Sequence, residues 1–258
     1  MHALVTGASA GIGEALAREL ARRGMDVTLV ARRKDVLERV AAELASSHGR
    51  RAHVIAADLS DPAVADGILA EAEEALGPID VLVSNAGFMT LGPVATFDPA
   101  EADRLIAVNF LTPVRLVRSV LPGMIGRGKG TVVTVTSIAA FVTLPGWAYQ
   151  SGSKKACATF SEALRYELEG TGVHSITVYP GLNDTAMTRD GLVSYGDSAI
   201  AKMMPVGDPA TFARLIADAI AKKQRRLVFP RFYWLVRWFP RISQWLSERF
   251  APRLAAAS

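Results

Sequence analysis

The fold is decided by the stretch Thr6-Gly7-Ala8-Ser9-Ala10-Gly11-Ile12-Gly13, which follows a short apolar strand and opens an amphipathic helix. Gly7 permits a tight turn, Gly11 lets backbone approach a pyrophosphate, and Gly13 allows the helix to pack closely on the strand. The helix N-terminus adds unpaired N–H groups and the positive end of the helix dipole. Glycine-rich turns also serve packing alone, and it is the position between a strand and a helix that favours a phosphate-binding turn here.

Outward from this turn, short apolar strands alternate with helical patterns. The predicted strands are mostly apolar on both faces, as in a buried parallel sheet, and cover residues 3–6, 26–31, 52–57, 80–84, 130–137, 173–179 and 226–229. Helical patterns include 12–23, 35–47, 64–76, 100–125 and 154–169. The alternation predicts an α/β fold with a doubly wound, mostly parallel seven-stranded sheet, helices on both faces and right-handed crossovers.

Length and composition fit one globular domain. The chain has 258 residues, half of them hydrophobic, which excludes intrinsic disorder and suits a single α/β core. The one cysteine, Cys157, excludes an internal disulfide, and we expect it to be a buried apolar side chain. The four histidines have no metal-ligand spacing, so no metal site is expected. No export signal is visible at the start, and the expected location is cytoplasmic.

The net charge of +4 is unevenly distributed. Residues 225–258 hold seven arginines and one acid, which gives +6, and the 22 basic and 24 acidic residues of 1–224 give −2. Eight of the nineteen aromatic residues also lie in this last segment. The basic character of the chain therefore comes from its C-terminal end.

Prolines at 230, 240 and 252 divide this end into two short helices, because proline cannot continue the interior of a helix. We divide the chain into a domain of residues 1–230 and a basic aromatic extension of residues 231–258. Three interpretations of the extension stay open: a pocket lid or subunit contact, an interfacial helix on an anionic membrane, and packing without special function. Nucleic acid is not an expected partner, because the arginines alternate with bulky aromatics and no recognition fold is present.

The chain resembles the short-chain dehydrogenase/reductase family over about residues 2–230. The T-G-x-x-x-G-x-G turn is that family's signature, and further matching elements follow in order: Asp58-Leu59, Asn85-Ala86-Gly87, Asn109, Ser137, Lys154 and Pro180-Gly181 with Thr185. Ser84 replaces the first residue of the family's N-N-A-G element. The resemblance implies a Rossmann-type fold and hydride exchange between a nicotinamide and a carbonyl or carbinol carbon. It also implies a homodimer or homotetramer built through the helices at 100–125 and 154–169.

The same resemblance implies a set of cofactor contacts. They are Gly7, Ser9, Ala10, Gly11, Ile12, Gly13, Arg32, Arg33, Asp58, Leu59, Asn85, Ala86, Gly87, Lys154, Pro180, Gly181 and Thr185. NAD-specific members end the second strand with an acid that binds the ribose diol and would repel a 2′-phosphate. Here Arg32 and Arg33 follow that strand and no acid occurs before Asp35, which favours NADP(H). The alternative is that both arginines are merely solvated.

The catalytic residues implied by the resemblance are Asn109, Ser137, Lys154 and a tyrosine four residues before the lysine. That position is occupied by Gln150. Glutamine donates and accepts hydrogen bonds but cannot exchange a proton near neutral pH, and losing a positioned acid or base costs about 10²–10⁴ in rate. Tyr149 is adjacent, but it lies about 140° around the helix from Lys154, so it replaces the lost hydroxyl only if the first turn is irregular.

Two explanations of Gln150 remain open. One is a deliberate substitution that inactivates or redesigns the pocket, which we prefer because the rest of the apparatus is intact. The other is a natural NADP(H)-binding protein with a non-redox role, as a scaffold or sensor. The expected substrate is a hydrophobic ketone or secondary alcohol, enclosed by loops at 88–90, 139–144 and 183–195, where Asn183-Asp184 contacts substrate or caps a helix.

Overall fold

A computed structural model describes residues 1–181 and 207–250 of the chain. Its strands are β1 (His2–Thr6), β2 (Asp26–Ala31), β3 (Ala52–Ala56), β4 (Val81–Ser84), β5 (Gly130–Val135), β6 (Val173–Pro180) and β7 (Arg226–Phe229). Its helices are α1 (Gly11–Arg22), α2 (Lys34–His48), α3 (Val64–Leu76), α4 (Pro99–Ile106), α5 (Thr112–Gly126), α6 (Ala148–Glu167), α7 (Pro209–Ala221), α8 (Tyr233–Trp238) and α9 (Pro240–Phe250).

The seven strands form one parallel sheet in the order β3-β2-β1-β4-β5-β6-β7. The chain builds outward from β1 to β3, returns to β4 and then builds outward to β7 on the other side. The order therefore reverses between β1 and β4, and in such sheets a crevice opens beyond the carboxyl ends of the strands at this point. The predicted doubly wound α/β fold is confirmed, and every strand pair in the described sheet is parallel.

Each face of the sheet carries its own hydrophobic core. Ala3 and Val5 of β1 pack with α1, α2 and α7 on one face, and Leu4 packs with α3, α5 and α6 on the other. This alternation follows from the two-residue period of a strand. Because both faces are covered, the inner strands are mostly apolar, which is the pattern visible in the sequence.

The helix predicted at 100–125 is divided by a π-helical segment. Residues Ala107–Leu111 form that segment between α4 and α5. The run Pro99–Gly126 is also the one stretch of the described residues that is long and apolar enough to cross a membrane. Half of its most apolar window is buried, and Leu116, Val120 and Met124 lie in the core, so in this fold it is a core helix.

Two element boundaries beside the site differ by two residues or more from the sequence prediction. Strand β5 ends at Val135, so Ser137 lies in the turn that follows and begins a short 3₁₀ helix at Ile138–Ala140. Helix α6 begins at Ala148, six residues before the predicted start at Lys154. Residues 148–153 contain small polar side chains with no apolar period, which is why the sequence pattern does not reveal this first turn.

Candidate active site

A cavity of about 610 Å³ lies at the carboxyl edge of the sheet, where the strand order reverses. Most of the residues predicted to contact the cofactor line it. They are Gly7, Ser9, Ala10, Gly11, Ile12, Arg32, Arg33, Asp58, Leu59, Asn85, Ala86, Gly87, Lys154, Pro180 and Gly181. Gly13 is not part of the lining and acts in packing instead, and Thr185, like Asn183-Asp184, lies outside the described residues.

The glycine turn leaves room for a ligand because side chains are excluded from it. Gly7 and Gly11 have φ of +69° and +57°, a region that favours glycine. A Cβ on Gly13 would lie 2.2 Å from the Gly7 carbonyl oxygen, so helix and turn touch backbone to backbone. The N-cap of α1 is Ala10, whose side chain makes no capping hydrogen bond, which leaves the first-turn N–H groups for an anion. These features fit the phosphates of a dinucleotide.

Strand β4 is tied to the same turn through Thr6. The Thr6 hydroxyl oxygen accepts hydrogen bonds from the backbone N–H groups of Asn85 and Ala86, each at 3.0 Å. The Asn85 amide nitrogen donates to the Thr6 carbonyl oxygen at 2.9 Å. The Asn85-Ala86-Gly87 element is therefore fixed against the end of β1, on the opposite side of the crevice from β2.

Two arginines lie at the end of β2, one bound to the turn and one not. The Arg33 guanidinium donates to the carbonyl oxygen of Ser9 at 2.7 Å and to its hydroxyl at 3.2 Å. Arg32 is exposed and makes no side-chain hydrogen bond within the described ranges. The pKa of Asp58 is lowered, first by the backbone N–H of Ser60 and then, more weakly, by the positive charge of Arg32. Both arginines line the cavity.

Lys154 is buried at the floor of the cavity, beside Gly87. A Cβ on Gly87 would lie 3.0 Å from the Lys154 Nζ and 2.9 Å from the Asn109 Oδ1. Burial lowers the pKa of Lys154, and no carboxylate of the described residues forms an ion pair with it. Burial also raises the pKa of Cys157 to about 11, so this thiol is protonated at neutral pH and acts as the buried apolar side chain that the sequence predicts.

Asn109 holds Gln150 from behind the cavity wall. The backbone N–H of Phe88 donates to Asn109 Oδ1 at 3.2 Å, and Asn109 Nδ2 donates to the Phe88 carbonyl oxygen at 3.1 Å. This pair of bonds fixes the orientation of the amide, whose Nδ2 also donates to Gln150 Oε1 at 3.2 Å. The Gln150 amide nitrogen has no hydrogen-bond partner among the described residues, and Gln150 lines the cavity. The π-helical segment carries Asn109 into this position.

Tyr149 lies outside the cavity. Helix α6 is regular from Ala148, and the Tyr149 ring packs against Phe97 with 4.8 Å between ring centroids. Gln150, not Tyr149, is therefore the side chain that faces the cavity one turn before Lys154. The irregular first turn that would let Tyr149 replace the missing hydroxyl is not present.

Ser137 is another of the expected catalytic residues, and it lines the cavity. Its hydroxyl oxygen accepts the backbone N–H of Ala139 at 3.1 Å, and its O–H is free to donate toward a ligand. Two further lining residues, Arg104 and Trp147, are not indicated by any sequence motif. Trp147 is buried with its indole N–H unpaired in the described structure, and Arg104 lies 5.4 Å from the Phe88 ring centroid.

The chain is similar to proteins of one family over most of its length. The family model described as short chain dehydrogenase matches residues 1–192. A dehydrogenase/reductase SDR family protein 7-like from Anopheles gambiae is 33% identical over 97% of this chain and 83% of its own length. A short chain dehydrogenase from Pseudocercospora fijiensis is 39% identical over 69% of this chain. The chain spans 58% of that fungal protein and 18% of a glycine betaine reductase from Emericella nidulans.

Solved structures share the whole architecture. A short-chain dehydrogenase from Sphingobium yanoikuyae in complex with NADPH has a TM-score of 0.82 and 26% identity, covering 100% of this chain and 98% of its own. The bulky-bulky ketone specific alcohol dehydrogenase from Comamonas testosteroni has a TM-score of 0.78 and 26% identity, covering 100% and 96%. The glycine turn lies beside a lysine and a serine in one cavity, with an asparagine directly behind its wall. Together with these matches, this arrangement shows that the chain belongs to the short-chain dehydrogenase/reductase family of NAD(P)-dependent oxidoreductases.

Proposed function

We propose that this chain has the scaffold of an NADP(H)-dependent carbonyl reductase or alcohol dehydrogenase for a hydrophobic ketone or secondary alcohol, with turnover impaired by Gln150. The observation that carries the proposal is the position of Gln150, which faces the cavity one helical turn before the buried Lys154. The other expected catalytic residues, Asn109, Ser137 and Lys154, lie at this cavity or directly behind it, and only the tyrosine that would donate the proton is missing.

A bound nicotinamide supplies hydride to a carbonyl carbon or accepts it from a carbinol carbon. The residues of this chain would bind the substrate and orient it for that exchange. Ser137 would donate a hydrogen bond to the substrate oxygen. Lys154 would donate a hydrogen bond to the bound ligand from the floor of the cavity. The Gln150 amide nitrogen would donate a further hydrogen bond and polarise the oxygen, but it cannot transfer a proton.

The preference for NADP(H) rests on Arg32. Its guanidinium is exposed at the cavity and unengaged by other side chains of the described ranges, so it is free for a 2′-phosphate. Arg33 adds positive charge while it holds Ser9. The Sphingobium relative was solved with NADPH, which supports the same preference here.

The hydrophobic character of the substrate rests on the part of the cavity away from the glycine turn. Its lining includes Phe88, Met89, Val108, Ile138 and Trp147. Such a surface favours an apolar ligand with one or two polar groups fixed by donors. The Comamonas neighbour is specific for bulky-bulky ketones, which supports a ketone as the substrate class.

The decisive experiment is Gln150→Tyr. We expect NADPH-dependent reduction of a panel of aromatic and long-chain ketones and aldehydes to rise by about 10²–10⁴, the usual worth of a positioned acid or base. The matched control is Tyr149→Phe on the Gln150→Tyr background, which removes the neighbouring phenol and should leave the rate unchanged. NADPH binding that survives in both variants, with no rise in turnover for any carbonyl, would refute the reductase.

A second candidate is an NADP(H)-binding protein without turnover. It is favoured by one observation, the hydrogen bond from Asn109 to Gln150 Oε1, which holds at the catalytic position a side chain that cannot transfer a proton. If this candidate is right, calorimetry detects tight NADPH binding, and the wild-type protein and the Gln150→Tyr variant are equally inactive in carbonyl reduction.

The assembly and location of the chain remain predictions. The homodimer or homotetramer expected through the helices at 100–125 and 154–169 is tested by light scattering of the purified protein. The expected cytoplasmic location is tested by fractionation of cells, which would separate a cytosolic pool from a membrane-bound pool.

A further inference from the structure

Helices α8 and α9 expose an apolar surface that the cavity does not use. Six large hydrophobic side chains in these helices, between them and just before α8 are exposed, and together we call them the tail face: Phe232, Leu235, Trp238, Phe239, Ile242 and Trp245. Trp238 is 73% exposed and Trp245 is 58% exposed. Large exposed apolar side chains concentrated in so short a stretch of chain are typical of a surface that is covered by a partner.

The tail face points outward because the inner side of α8 is already filled. Tyr233 is buried and packs with Ile138, Tyr179 and Val228. Its ring lies so close to Gly181 that a Cβ there would be 2.6 Å from the Tyr233 Cε2. Helix α8 is therefore anchored to the body through Tyr233, with Trp234 and Val236 partly buried against the same cluster, while the side chains of the tail face stay exposed.

Charge distinguishes between the candidate partners. Residues 231–258 contain five arginines and one acid, which gives +4, whereas residues 1–230 contain 24 basic and 24 acidic residues and are neutral overall. A second copy docked face to face would bring two +4 segments together. An anionic bilayer offers opposite charge at its surface and hydrocarbon directly beneath, so it suits both the arginines and the tryptophans. Arg231 and Arg241 are exposed beside the tail face.

We propose that the tail face docks on an anionic lipid bilayer, with α8 and α9 lying in the interface. Neither helix is long enough to span, since α8 has 6 residues and α9 has 11, against about 20 for a transmembrane helix. Tryptophan and arginine side chains are typical of helices that lie in the interfacial plane. The tail follows β7 at the carboxyl edge of the sheet, and Gly181 and Ile138 join the Tyr233 packing to the cavity wall. Docking would therefore bring the bilayer close to the cavity.

The test is flotation of the full-length protein with vesicles of phosphatidylcholine containing 30% phosphatidylglycerol. We expect binding to the anionic vesicles, weaker binding to pure phosphatidylcholine, and a blue shift of tryptophan emission. The double variant Trp238→Ser/Trp245→Ser should lower the partition coefficient by about tenfold or more, because buried interfacial aromatics dominate such binding. Arg231→Gln/Arg241→Gln should lower binding to anionic vesicles alone. The matched control is Tyr166→Ser on α6, an aromatic side chain that is 67% exposed away from the tail face.

Unchanged thermal melting and NADPH affinity in these variants would show that they are folded. The proposal is overturned if the protein does not float with anionic vesicles, or if both vesicle types bind it equally. Equal partitioning of the tryptophan double variant and the wild type would also overturn it. A dimer in light scattering that the double variant dissociates, without vesicle binding, would identify a second copy as the occupant instead.

Discussion

Gly87 is one of the predicted cofactor-binding residues, and it lies next to two predicted catalytic residues, Asn109 and Lys154. A methyl group there would lie 2.9 Å from Asn109 Oδ1, which is fixed by Phe88, and 3.0 Å from Lys154 Nζ. Because Asn109 cannot yield without breaking its hydrogen bonds, overpacking of this kind costs roughly 1–3 kcal/mol. We predict that Gly87→Ala weakens NADPH binding about tenfold by calorimetry. Gly152→Ala on α6, where the added methyl group meets no atom within 4 Å, should leave the affinity unchanged.

Arg32 carries the expected choice between the two nicotinamide cofactors. We predict that Arg32→Asp raises the Kd for NADPH about 10- to 100-fold, which corresponds to the loss of one charged hydrogen-bond partner. The new carboxylate would repel the 2′-phosphate and accept the ribose hydroxyls, so NADH binding should improve. Titrations with both cofactors give the ratio, and Lys34→Gln at the neighbouring exposed position is the control. An unchanged ratio would mean that Arg32 is only a solvated side chain.

Single residues were predictable where spacing or charge constrains them. The four-residue step back from Lys154 identifies Gln150, and the structure has Gln150 at the cavity and Tyr149 against Phe97. Trp147 and Arg104 could not be found in this way, because a lining residue with no fixed spacing to a motif leaves no signal in one sequence. The orientation of Gln150 also depends on Asn109, which is 41 positions away in the chain.

Helices α1 and α7 are joined by an ion-pair network that makes stability depend on pH. Glu19 is buried on α1 and accepts hydrogen bonds from Arg22 and Arg23, and Arg23 also donates to Asp218 of α7 at 2.7 Å. Hydrogen bonding from Arg22, followed by Arg23 and the charges of both, lowers the pKa of Glu19 to about 2 from the ordinary value of 4.5. A carboxyl with a depressed folded-state pKa stabilises the fold above its unfolded pKa, and this stability is lost as the pH falls.

We therefore predict that the free energy of unfolding decreases between about pH 4.5 and pH 2, in part through Glu19. Glu19→Gln should lower stability at pH 7 by about 1–3 kcal/mol, because hydrogen bonds from Arg22 and Arg23 to a charged acceptor are replaced by weaker ones. Its stability should then change less across the acid range than that of the wild type. Urea unfolding at pH 7 and pH 3 measures both effects, and Glu74→Gln, at an exposed position, is the control. Parallel pH profiles for Glu19→Gln and wild type would contradict the prediction.

Elements were predictable where one hydrophobic period is sustained. All seven strands occur within two residues of the predicted places. The five inner strands are almost completely buried, and their apolar runs are hard to mistake for solvent-facing segments. The π-helical segment at Ala107–Leu111 was not predicted as such, since one inserted residue barely changes the apolar period of a long helix. The start of α6 was also missed, because its first turn is set by tertiary packing around the cavity rather than by helix propensity.

At the scale of the whole molecule, the reversal of strand order puts the carboxyl ends of β1, β4, β5 and β6 around one cavity. The tail reaches the same edge because β7 is parallel to the other strands. Three features that are far apart in sequence therefore lie at the same edge of the sheet. They are the glycine turn, Gln150 with its catalytic neighbours, and the side of α8 that packs on the body. The division of the chain at residue 230 remains a prediction, and the packing of Tyr233 gives a way to test it.

Removing residues 231–258 should destabilise the body, because Tyr233 covers Ile138, Ala140, Tyr179 and Val228. Exposing this cluster and losing the burial of one large aromatic side chain costs about 2–3 kcal/mol. In a protein of this size, that corresponds to a fall in Tm of roughly 4–12 °C. Truncation after Phe239 retains α8 and removes α9, so it should melt within about 2 °C of the full chain. Calorimetric scans of both truncations measure the difference. If the chain ending at Pro230 melts like the full-length protein, residues 231–258 are an independent extension; if it melts lower and binds NADPH more weakly, α8 is part of the cavity wall.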